Sequence, residues 1–169
     1  MGLFETLTIP ARQALAAATD VAAAMGSHEV EAAHLLVGLL DTPGVIQCAL
    51  ASRLGPDRDR LLADIQRVTL PSADGKHPAF GDEVCLVLAA ARGISSASSA
   101  PATGTVAILR GVLILLPRSA EELLRPVDLE GLRAAVADLD DSTEPVTVPG
   151  AAPWTVHVAT GGPDGWDDR

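Results

Sequence analysis

At 169 residues the chain is long enough for one domain with a full core, or for two small ones. Hydrophobic residues make up 48% of it but aromatics only 2%, so its core has to be built from Ala, Leu and Val at short range, which favours packed helices. A formal charge of −10 with a single lysine, Lys76, excludes the basic stripe that phosphate-backbone binding depends on, and no nucleic-acid partner is expected.

Residues 1–10, MGLFETLTIP, hold neither a basic run nor an apolar stretch of secretory length. The longest apolar run, residues 106–116, is too short to span a bilayer and contains Arg110; no membrane association is expected, and a cytoplasmic location is. Cys48 and Cys85 lie far apart among apolar residues with no C-x-x-C pair, and read as small buried hydrophobes in a reducing compartment.

From Leu7 onward the apolar positions recur at an offset of 73, with Leu7 set against Phe80. Ala11, Ala14, Leu15 and Ala18 match Val84, Val87, Leu88 and Ala91; Leu35, Gly38 and Leu39 match Ile108, Gly111 and Val112. Spacings of three, four and seven trace one helical face, so each unit opens with an amphipathic helix. The first is expected over residues 8–25, ended by Gly26 in the left-handed conformation. Its counterpart ends less sharply, within SSASSAPATG at 95–104.

A shorter, nearly all-apolar helix follows at 30–40 and 105–116, stopped by TPG at 42–44 and by Pro117. Third helices at 46–54 and 119–125, and fourth helices at 57–68 and 128–139 with Asp57 and Asp128 as N-caps, bring the total to eight. The expected fold is all-α: two pseudo-symmetric four-helix repeats, at about 7–69 and 80–139, forming one globular domain over 1–139 with a linker at 70–79. Residues 140–169 read as an acidic, Pro/Gly-rich tail, mostly disordered.

The polar residues along these helices read chiefly as architecture. His28, Glu29, Glu31 and His34 lack the H-E-x-x-H spacing, and no metal is expected on them. His34, replaced by Ala107 in the second copy, is expected to bond a loop group while its ring packs. Gly38 and Gly111 recur although glycine costs a helix about 1 kcal/mol relative to alanine, which calls for helices that cross closely. Thr105 is expected to cap its helix. Gly75-Lys76 lacks the rest of a phosphate-binding loop, and no acid, base and nucleophile converge on a motif, so neither a cofactor nor catalysis is expected.

A duplicated four-helix unit, in which a helix-ending glycine precedes an apolar helix reading HLLVGLL at 34–40, resembles the Clp N-terminal repeat domain of Clp-type AAA+ unfoldases. The likeness spans roughly residues 4–139. It implies a module that docks adaptors and substrates and delivers them to an ATP-driven unfolding ring, here as a free-standing N-domain without the ring. The function it implies is non-catalytic protein or peptide binding, as adaptor, decoy or accessory factor in Clp-dependent quality control. The implied partners are Clp unfoldase or protease subunits or their substrates. The alternative is a protein that sequesters a small molecule in the groove between the repeats.

In some members of that family each repeat carries a phosphoarginine pocket, built around a threonine at the start of the first helix and a glutamate just before the histidine. At those positions this chain has Thr8 and Ala33 in the first copy, Gly81 and Val106 in the second. With no carboxylate there to grip a guanidinium fork, phosphoarginine recognition by the family mechanism is not expected. The four positions stand as candidate binding residues, and whether the groove around them is apolar and open, where the family's is ionic, is the question that the loss of both glutamates raises.

Overall fold

A computed structural model of the chain describes residues 6–54, 58–72 and 77–146, without the side chain of Arg58. Within them lie eight helices: α1 (Ile9–Ala24), α2 (Ala32–Asp41), α3 (Val45–Leu54), α4 (Arg58–Val68), α5 (Asp82–Ala97), α6 (Thr105–Leu115), α7 (Arg118–Leu124) and α8 (Leu129–Ala137). Two-residue strands β1 (Glu29–Val30) and β2 (Ala79–Phe80) complete the set. The expected all-α double repeat is the fold observed. The offset of 73 holds for the first residues of α1/α5, α2/α6 and α3/α7, and slips by two at α4/α8.

Helix α1 begins where Thr8 Oγ1 accepts the Ala11 amide, with Pro10 in the first turn. It ends at Gly26, whose φ of +64° suits glycine as the residue after the cap. The faces that α1 and α5 bury correspond at the repeat offset: Ala11, Ala14, Leu15, Ala18 and Ala22 against Val84, Val87, Leu88, Ala91 and Ser95. Helices α2 and α6 are apolar on nearly every side and buried along most of their length, which makes them the centre of the packing. A Cβ on Gly38 would overlap the Ala14 carbonyl oxygen, and one on Gly111 would sit 2.8 Å from the Val87 carbonyl oxygen. Both glycines therefore mark the close crossing that their recurrence called for.

The two units are interlocked. Helix α2 packs on α1, α3 and α4 of its own unit and on α5, α6 and α7 of the other. Val30 pairs in parallel with Phe80, and Leu7 with Thr103; these two pairings are one contact repeated at the offset of 73. Each unit's lead-in strand thus lies beside the segment that precedes the other unit's central helix. Strands this short leave no period in a sequence.

Several expectations change. Thr105 is the first residue of α6 and Gly104 occupies the cap position; Asp128 does cap α8, accepting the Gly131 amide at 3.0 Å, while Asp57 lies outside the described residues. Cys48 is exposed and Cys85 half-buried, so neither is a fully buried hydrophobe. The boundary expected after residue 139 falls too early, because residues 140–146 pack back onto the starts of α1 and α6; the remainder of the expected tail lies outside the described residues.

Candidate functional site

The four candidate residues are buried, Thr8 and Val106 at 1% exposure and Ala33 at 0%, with Gly81 beside them in burial. Interlocking redistributes them across the repeats. Thr8 comes together with the start of α6 at Val106, and Gly81, through the Val30 carbonyl, with the start of α2 at Ala33, so each of the two candidate pockets is a buried cluster that takes one residue from each unit. Each pocket is centred on the N-terminus of a central helix, α2 or α6, where backbone N–H groups have no partner inside the helix and the helix dipole favours negative charge.

At the Gly81/Ala33 pocket the anion comes from the second unit. Glu83 Oε2 accepts the Ala32 amide at 3.2 Å and the Ser119 hydroxyl at 2.6 Å. Ser119 Oγ in turn accepts the Ala33 amide at 3.1 Å. Glu31 accepts the Leu70 amide at 3.0 Å, and a Cβ on Gly81 would run into the Glu29 carboxyl group. Burial, with neighbouring carboxylates adding to it, pushes the pKa values of both Glu29 and Glu31 above the usual carboxyl range. The pocket is therefore acidic, although position 33 holds no glutamate; its carboxylates come from positions 29, 31 and 83. Gly81 shares the extended N-cap conformation of Thr8, so what the second copy lacks is the hydroxyl and not the backbone shape.

At the Thr8/Val106 pocket the anion comes from the segment after α8. Asp141 accepts the Val106 amide at 2.7 Å and the Ala107 amide at 3.0 Å with its two oxygens. Glu144 accepts the Thr8 hydroxyl at 2.6 Å, the Thr105 amide at 3.0 Å and the Thr105 hydroxyl. The Pro145 carbonyl accepts the Ile9 amide at 2.6 Å. Burial raises the Asp141 pKa against the lowering effect of the amides. The segment is shaped as a turn, with Ser142 folded onto Asp140 and the Glu144 amide onto the Asp141 carbonyl. Arg110 holds its root by donating to the carbonyls of Val136, Ala137 and Leu139.

Sequence reasoning did not single out Glu83, Ser119, Asp141 or Glu144, which the fold places beside the four candidate positions. The available signal was the pair of carboxylates in DSTE at 141–144, read there as tail composition. A separate open cleft of about 630 Å³ lies within the first unit, lined chiefly by α1 and α4, with Val21, Met25 and Leu62 and the acids Asp20, Asp41 and Asp59 among its lining residues. No group of three or more potential metal ligands occurs among the described residues, and no single helix among them is long and apolar enough to cross a membrane.

Residues 6–126 match the family model described as the Clp repeat (R) N-terminal domain. No curated protein matches in sequence. Among solved structures the chain is similar to the N-domain of ClpV from Vibrio cholerae, with a TM-score of 0.61 at 22% identity, covering 84% of this chain and 90% of that one. It is also similar to the N-terminal domain of the caseinolytic protease-associated chaperone ClpD from Arabidopsis thaliana, with a TM-score of 0.58 at 20% identity, covering 79% of this chain and 96% of that one. At these identities the structural likeness is one of fold.

Proposed function

Since the chain belongs to the Clp repeat N-terminal domain family, a non-catalytic protein-interaction module, we propose that it binds proteins or peptides as an adaptor, decoy or accessory factor in Clp-dependent protein quality control. Its partners on this reading are Clp unfoldase or protease subunits, or their substrates. Contact is made at the paired pockets, Thr8 with Val106 and Gly81 with Ala33.

The observation that carries the reading is the location of those pockets. Each is a helix N-terminus framed by both units, whose amides are bonded to carboxylates of this chain, Glu83 at one and Asp141 with Glu144 at the other. A site built from backbone amides and hydroxyls recognises polar groups on an extended chain, in keeping with a peptide-binding role.

The test is capture of the tagged full chain from native lysate after brief cross-linking. Clp unfoldase or peptidase subunits, or substrates known to be degraded by them, are expected to be enriched over a tag-only control. Absence of every Clp component from the captured set would sink the reading.

A further inference from the structure

We propose that residues 140–146 are an autoinhibitory strap, a self-supplied occupant of the Thr8/Val106 pocket, displaced by a partner segment carrying two carboxylates three residues apart. The inference rests on the reading of that pocket as a partner site and adds its ligand chemistry and its regulation.

The two pockets differ in how their anions are supplied. At the repeat offset Glu83 corresponds to Pro10 and Ser119 to Ile46, neither of which offers a side-chain acceptor. Without residues 140–146 the amides of Thr105, Val106 and Ala107 have no such partner from the second pocket's counterparts, and a positive helix end stands open. The strap fills that vacancy with Asp141 and Glu144.

Gly104 is fitted to the same purpose. Its φ of −105° and ψ of −175° are open to any residue, so glycine is not required by the backbone there. A Cβ at 104 would instead overlap the Asp141 carboxylate, so the missing side chain is what lets the strap reach the helix.

The way the strap is held permits exchange. None of residues 140–146 belongs to the hydrophobic core or to the apolar residues packed on it; the last of these is Leu139, whose carbonyl Arg110 fixes. Hydrogen bonds are the strap's named anchors, so a competing carboxylate pair restores those that Asp141 and Glu144 make, and a partner's own main chain can replace the Pro145 carbonyl on the Ile9 amide. An acidic segment of the D-x-x-E type matches the geometry, one carboxylate on the Val106 and Ala107 amides and the other on Thr8 and Thr105.

The probe is a fluorescein-labelled peptide of residues 140–146, DDSTEPV, titrated against the full chain. The double variant Asp141→Asn/Glu144→Gln is expected to bind it about 10-fold more tightly or better than the wild type, because apparent affinity falls with the fraction of pocket left open. Gly104→Ala is expected to expel the strap without gaining probe affinity, since the new Cβ blocks either occupant. Equal binding by wild type and double variant overturns the proposal. If the double variant does not fold, hydrogen exchange on the wild type decides. The amides of 105–107 are expected to exchange faster than those of 109–113 and to slow when the probe is added; exchange only at the rate of the helix interior overturns the proposal. Failure of the Clp capture with success here leaves the strap standing and removes the choice of partner.

Discussion

His34 has no exposed surface, and both of its ring nitrogens are engaged. The Glu31 amide donates to Nδ1 at 3.0 Å, so Nδ1 carries no proton; the neutral ring then bears it on Nε2, which lies 3.0 Å from Ser27 Oγ and donates to it. Burial lowers the pKa from 6.5 to about 4, against a smaller raising effect of Glu83. A depressed value means that the unfolded chain takes up the proton first as pH falls. The contribution of His34 is therefore complete above pH 6.5 and is lost between there and about 4, amounting to ~3 kcal/mol at most. Glu29 and Glu31, with raised values, act in the opposite direction, so the effect is isolated by comparing urea stability of the wild type with that of His34→Asn from pH 7 to 4. The wild type is expected to lose more stability across that range; parallel curves would show that the ring is not held neutral.

Among the elements, the glycines at the two crossings set the helix spacing. Alanine at 38 is expected to destabilise the protein by ~3 kcal/mol, because a backbone carbonyl of α1 is in the way and the over-packing outweighs the gain in helix propensity. Alanine at 111 meets its carbonyl at 2.8 Å and is expected to cost less, ~1 kcal/mol after the same propensity gain. Thermal unfolding of both variants checks the order, and a Gly38→Ala protein as stable as the wild type would refute it. These crossings were legible in the sequence because a glycine recurring within an apolar helix has few other reasons to be there. The helices were legible for a similar reason, as long runs with a 3.6-residue period. The β1–β2 pairing was not, since two residues have no period, and the Asp140–Glu144 turn was masked by a composition typical of disordered tails.

Taken whole, the molecule buries the central helix of one unit against three helices of the other. A fragment of residues 1–72 is accordingly expected to lack cooperative unfolding, since α2 loses its contacts with α5, α6 and α7; a sharp melting transition in its circular dichroism would contradict the interlocked packing. The pairing of the candidate positions was not legible, because a repeat alignment places Thr8 with Ala33 by sequence while the fold places it with Val106. That crossed pairing has a consequence for descent. A single ancestral unit holds only half of each pocket, and two identical units joined as a symmetric dimer hold two identical pockets. In a single chain the halves are free of that symmetry: a change at Thr8 touches one pocket and a change at Gly81 the other. The two pockets can therefore differ within one chain, one taking its anion from within the repeats and the other from the segment that follows them.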